Sequence, residues 1–136
     1  LLTKEAFQEA KRLLSPQGIL ALNYVAIYEW GRNKGLASVY RTLGQVFTHR
    51  LVIAENPQHE LGDFVFLASA SNMNLEQSQT KQKAVQSLID RTVFVDETSG
   101  DLISDDYNPL EHYQLQKAES YRSLVVGWLG STLMTR

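Results

Sequence analysis

"HRLVIAENPQHELGDFVFLASAS", residues 49–71, decides the fold. Its two ends are apolar and rich in Val, Ile and Phe, as strands are. The middle, "NPQHELG", carries the Asn, Pro and Gly of a turn-rich loop. Two strands joined by so short a loop are antiparallel neighbours, because a parallel pair needs a crossover of about a dozen residues or more. An all-parallel sheet is therefore excluded, and the chain must carry an antiparallel strand pair at the edge of its sheet.

Upstream, Thr3 is placed to cap a helix with Glu5 in its first turn, and Ala6, Phe7, Ala10, Leu13 and Leu14 form one apolar face. Ser15-Pro16 stops that helix. "GILALNYVAIY" then runs apolar without alternation, which reads as a strand buried on both faces. After the loop "EWGRNKG", Asn33 caps a helix whose inner face is Leu36, Val39, Tyr40, Leu43, Val46 and Phe47. Trp30, in that loop, reads first as a core aromatic and second as a lid.

Downstream of residue 71, Asn74-Leu75-Glu76-Gln77 has the capping-box pattern and opens a polar surface helix ending near Asp90. "RTVFVDETSGD" is a short edge segment closed by a Ser-Gly turn. Asn108-Pro109-Leu110-Glu111 has the marks of a helix start, with Asn as cap, Pro at the first helical place and Glu two places on. In the helix that follows, Leu110, Tyr113, Ala118, Tyr121, Leu124, Val125, Trp128, Leu129 and Leu133 keep helical spacing. The fold class is α/β, in the order α-β-α-β-β-α-α: one buried strand, an antiparallel edge pair, flanking helices and a long C-terminal helix.

Composition narrows the function. The 136 residues suit one domain, and 43% hydrophobic content allows a core. A net charge of −2 with no basic stripe argues against nucleic acid as a partner. The most apolar stretch, 123–135, is about a dozen residues against the roughly 20 of a spanning helix, so no membrane is expected. Cysteine is absent, which fits a reducing, cytoplasmic setting. His49, His59 and His112 stand far apart, so no metal site is expected. The chain opens on "LLTKEAF", inside a helix signal and without Met, as expected of part of something longer.

The pair Asp105-Asp106 in "DLISDDYNPLEHY" (residues 101–113) has two readings. It lies just before the positive end of a helix dipole, a placement worth a few tenths to about 1 kcal/mol. Structural anchoring is one reading and contact with a substrate or partner the other. A proton-sharing dyad needs the two carboxyls to converge, and adjacent residues of an extended loop diverge. The loop "WGRNKG" leads into a helix start and adds Arg32 and Lys34, which makes it a candidate for a carboxylate or phosphate.

Several segments carry a family resemblance. "FQEAKRLLSPQGILALNYV" resembles the helix, Leu-x-Pro-x-Gly turn and buried strand in the second half of class I S-adenosylmethionine-dependent methyltransferase folds. "SVYRTLGQVF", "DFVFLAS" and "LISDDYNPLE" resemble the C-terminal part of the spermidine synthase (polyamine aminopropyltransferase) family. The last is the most specific, with Ser104 where bacterial members have Thr before Asp-Asp-aromatic-x-Pro. The resemblance covers roughly residues 3–122.

The resemblance implies the C-terminal half of a class I methyltransferase-like Rossmann sheet, a single partial domain over residues 1–136. Residues 19–27 would be the fifth strand, 49–55 the sixth and 63–71 the seventh. It implies a parent that moves an aminopropyl group from decarboxylated S-adenosylmethionine, its co-substrate, to a small amine. Asn23 falls where members often carry a pocket-facing Gln, with Tyr24 beside it. With Asp105, Asp106 and Tyr107 these are the implied substrate-binding residues. The family's glycine-rich cofactor motif, acidic ribose ligand and catalytic aspartates lie in its first half. The eight glycines here form no GxG, so no cofactor-binding or catalytic residue is assigned in this chain. The family's Tyr before the seventh strand has no counterpart in "NPQHELGD", which leaves the amine open.

The implied partners are the upstream half of the same domain and a second copy in a homodimer. A methyltransferase of the same fold, and a non-catalytic module that self-associates through the unpaired edge of residues 19–27, are the alternatives.

Overall fold

The computed structural model describes residues 1–73 and 82–134. Helix α1 (Lys4–Leu13) starts at Thr3, whose hydroxyl accepts from the Ala6 amide at 3.2 Å. The turn at Ser15–Gly18 reverses the chain into strand β1 (Ile19–Ile27), which is followed by helix α2 (Lys34–Gly44). Strands β2 (His49–Ala54) and β3 (Leu61–Ser69) form the hairpin, and helices α3 (Gln82–Asp90) and α4 (Leu110–Met134) complete the order. The Asn74–Gln77 cap lies outside the described residues.

The sheet order is β1-β3-β2, and β3 runs antiparallel to both neighbours. The antiparallel pair expected at the edge is there, and its second strand lies between β1 and β2. Asn23 faces Val65 across one interface and Ile53 faces Val65 across the other. Tyr28 extends the β1–β3 ladder by donating its amide to Glu60 O at 2.6 Å. Even-numbered residues of β1 therefore point their backbone groups at β3, and odd-numbered ones point outward. Among the described residues no strand pairs with that outer edge. The outer edge of β2 is partly covered, by Ala54 N to Arg91 O and Val93 N to Val52 O, both 2.9 Å.

One face of the sheet carries the core. Phe64, Phe66 and Ala68 of β3, Tyr24 and Ala26 of β1 and Val52 of β2 pack with Leu36, Val39 and Leu43 of α2 and Phe7 of α1. The inner face expected for α2 is buried except at Tyr40, which is half-buried with the Arg50 guanidinium 4.0 Å from its ring centroid. The segment 99–103 straps α2. Ser38 and Thr42, both fully buried, accept the amides of Asp101 and Ile103 at 2.8 and 3.0 Å. Each hydroxyl also donates to the carbonyl four residues back in α2, so both its bonding capacities are used.

Two faces expected in the core are open. β1 is apolar on both sides as its sequence shows, but only the Tyr24–Ala26 side is covered; Ile19 and Val25 are 49% and 40% exposed. In α4, Leu110 is buried and Tyr113 half-buried, whereas Tyr121, Leu124 and Leu129 are exposed. Apolar spacing built the helix, yet beyond its first turns most of its described apolar side chains face solvent.

Candidate functional site

Asn23 and Tyr24 are adjacent in β1, so the pleat sends them to opposite faces. Asn23 is exposed and donates from Nδ2 to Asp63 Oδ1 at 3.0 Å. The two line a shallow hollow of about 540 Å³ with Ile53, Val65, Leu67 and Arg91. This is the less covered face of the sheet, with Ile53 buried on its β2 side and Leu88 of α3 at the rim. Its walls are mainly apolar, and its polar groups are an amide, carboxylates and a guanidinium.

Tyr24 lies on the core side, 8% exposed, edge-on to Phe66 with ring centroids 6.3 Å apart. Burial pushes its phenol above the ordinary range. Its hydroxyl lies against Gly35 at the start of α2, where a Cβ would meet it at 2.4 Å. A larger residue there would push the tyrosine tip aside, because the tip and the helix share one space.

The loop holding Asp105, Asp106 and Tyr107 docks on α1. Thr3 Oγ1 donates to Asp105 Oδ1 at 2.6 Å, and the Asp105 amide donates to Glu5 Oε2 at 3.0 Å. The Lys4 amide donates to Ile103 O at 2.8 Å. Asp105 thus ties residues 102 positions apart, a contact worth about 1 kcal/mol. Asp106 is exposed, and Tyr107 closes a turn with Ser104 while its ring is 55% exposed. Asn108 takes the expected cap role, accepting from the Leu110 amide at 3.2 Å. The hollow that Asn23 lines includes neither Tyr24 nor any residue of this loop.

A second, smaller hollow of about 120 Å³ opens at the C-terminal end of β1, the end at which open α/β sheets bind ligands. Ile27, Glu29, Arg32, Lys34, Tyr113 and Lys117 are among its walls. Its cations are engaged: Arg32 is 3.7 Å from Asp96, and Lys34 is 3.8 Å from Asp101. Tyr113 donates to Asp101, and burial together with that carboxylate holds its phenol far above the ordinary range. Sequence reading singled out Arg32 and Lys34 but not Tyr113, Asp101 or Lys117. The available signal was the i,i+4 spacing of Tyr113 and Lys117 on one face of α4.

Trp30 is a correction. It is 81% exposed, not in the core. Glu29, Trp30 and Gly31 have φ of 49°, 58° and 78°, and this left-handed run turns the indole to solvent. Gly31 allows it, because a Cβ there would meet Phe94 O at 2.4 Å. His59 and Glu60 are exposed as expected, with Glu60 accepting the Glu29 amide at 3.2 Å.

Among the described residues no group of three His, Asp or Glu side chains is placed to hold a metal, and no helix is long and apolar enough to cross a membrane.

A solved structure of a probable spermidine synthase from Corynebacterium glutamicum ATCC 13032 matches this chain at 24% identity and a TM-score of 0.52. The match covers 71% of this chain and 36% of that protein. The likeness is one of fold. It goes with the three-stranded sheet, flanking helices and long C-terminal helix as a partial methyltransferase-like α/β architecture. The chain spans little more than a third of the length of the solved protein it matches. No family model and no curated protein matches it.

Proposed function

We propose that the chain is the C-terminal portion of a spermidine synthase-like aminopropyltransferase domain. The observation that carries this reading is the placement of antiparallel β3 between β1 and β2, in a half-sheet that matches a third of a probable spermidine synthase. In the whole domain, a preceding strand would pair with the outer edge of β1, and the upstream half would cover the Asn23 face.

The reaction joins an amine nitrogen to the propyl carbon next to the sulfonium of decarboxylated S-adenosylmethionine. The C–N bond forms, the C–S bond breaks, methylthioadenosine leaves, and the amine loses a proton. Positioning and proton removal supply the catalysis. The carboxylates that take the proton belong to the upstream half. This chain supplies one wall, with Asn23 offering an amide hydrogen bond toward the amine. Asp105, Asp106 and Tyr107 are proposed to reach the substrate only in that complete domain, while Asp105 already anchors its loop. Tyr24 supports the wall from behind.

Calorimetry tests this. The 136-residue chain alone should give no binding heat with methylthioadenosine. A longer polypeptide that includes the residues encoded before Leu1 should bind it and release it from decarboxylated S-adenosylmethionine in the presence of an amine. Tight binding by the short chain alone would contradict the proposal. Methyl transfer from S-adenosylmethionine by the longer polypeptide, without aminopropyl transfer, would favour a methyltransferase of the same fold.

One observation favours a second reading, a self-associating module. Among the described residues no strand pairs with the outer edge of β1, which runs beside exposed Ile19 and Val25 and is a template for pairing with another copy.

A further inference from the structure

The outer edge of β1 is not bare along its whole length. Lys117 of α4 reaches it, and Nζ donates to Val25 O at 3.1 Å while lying 5.9 Å from the Tyr24 ring centroid. The lysine is half-buried. One turn earlier, Tyr113 donates to Asp101 and has the Lys34 ammonium 6.0 Å from its ring centroid, which fixes this part of α4 against α2. Val25 is odd-numbered, so its carbonyl stands in the same outward row as those of Ala21 and Asn23. A strand added at this edge needs that acceptor. Lysine placed at a strand edge is a recurrent means of discouraging such pairing.

We propose that Lys117 is a latch: it holds α4 across the outer edge of β1 and competes with β1 of a second copy for the Val25 carbonyl. The inference rests on the self-association reading and adds the residue that controls it. A second copy is the favoured occupant because β1 is self-complementary. Its nine residues are centred on Asn23 and carry no charge. Antiparallel pairing about that centre sets Ile19 against Ile27 and Ala21 against Val25 across a two-fold axis, as an isologous interface requires. No like charges meet. Immediately beyond Lys117, Tyr121 and Leu124 are 55% and 60% exposed, so release of the helix would leave apolar surface next to the paired strands for the same copy to cover.

Sedimentation equilibrium of the 136-residue chain tests the latch with three proteins: wild type, Lys117→Ala, and Lys117→Ala combined with Ala21→Pro. Lys117→Ala should tighten dimerisation about tenfold, the effect of removing one competing charge-assisted hydrogen bond. Proline at 21 removes an outward amide without touching the β3 ladder, and should reverse the gain. Amide exchange of Ala21 and Asn23 in the Lys117→Ala dimer locates the contact even if the proline variant fails to fold. These amides should slow on dimerisation, and unchanged exchange would overturn the proposal. Equal dimerisation of wild type and Lys117→Ala, with both amides protected, would sink the latch and leave self-association standing. No dimer in either protein would remove self-association and the latch together.

Discussion

Phe66→Ala should destabilise the chain by about 3–5 kcal/mol, the range for truncating a buried phenylalanine. Phe66 is 1% exposed in the middle strand of the sheet. Its ring lies between Tyr24 and Tyr40, with centroids 6.3 and 6.5 Å away. Removing it opens a cavity where the sheet meets α2. Domains of this size have only about 5–15 kcal/mol to lose. The melting temperature should fall by about 10–20 °C. Urea unfolding followed by circular dichroism measures it. Phe94→Ala is the control: Phe94 is 71% exposed, and the change should stay within about 0.5 kcal/mol. A loss below about 1 kcal/mol for Phe66→Ala would mean that β3 is not the centre of the core.

Gly100→Ala should cost about 4 kcal/mol, although Gly100 has an ordinary extended backbone with φ −96°. The cost is steric. A Cβ at 100 would stand 2.4 Å from Ala37 C and Ser38 N, backbone atoms of α2 that cannot move aside. The strap must lift instead. Lifting breaks the bonds from Asp101 N to Ser38 and from Ile103 N to Thr42, and from Arg41 to Gly100 O at 2.8 Å. It also exposes Ile103, which is fully buried. Gly62→Ala is the comparison, since nothing lies within 4 Å of its Cβ position, and it should be near neutral. The same urea titration reads both, and equal midpoints for the two variants would show that the strap does not lie on α2.

Much of this was legible in the residues. The hairpin followed from two Val/Ile/Phe-rich runs and a short turn-rich loop. The α2 face followed from its 3.6-residue period, and the Thr3, Asn33 and Asn108 caps from residue type. Local signals fix local structure. The position of β3 between β1 and β2 was not legible, because pairing Asn23 with Val65 joins residues 42 apart, and either neighbour of β3 satisfies the same apolar pattern. Hydrophobicity states that β1 and α4 want cover on more than one side. It does not state where that cover comes from, so their open faces had to be seen. Trp30 was misread because an indole's apolar area outweighed the one hint of a left-handed turn, Gly31.

The candidate site divides in the same way. Asn23, Tyr24 and the Asp105–Tyr107 loop came from resemblance, and the fold disperses them: opposite faces for the first two, and the start of α1 for the loop. The bond between Thr3 and Asp105 has no local signature at all. Lys117 was hidden because its role depends on a carbonyl in a strand 92 residues earlier.

The proposal that β1 belongs to a larger sheet requires it to be joined to β3 on one side and, among the described residues, open on the other. Amide hydrogen exchange along β1 in the dilute, monomeric chain tests it most directly. The account predicts alternation: Leu20, Leu22, Tyr24 and Ala26 protected by β3, with Ala21, Asn23 and Val25 exchanging close to the rate of a free peptide. Uniform protection of all seven amides in the monomer would contradict it, because the edge would then already have a strand beside it.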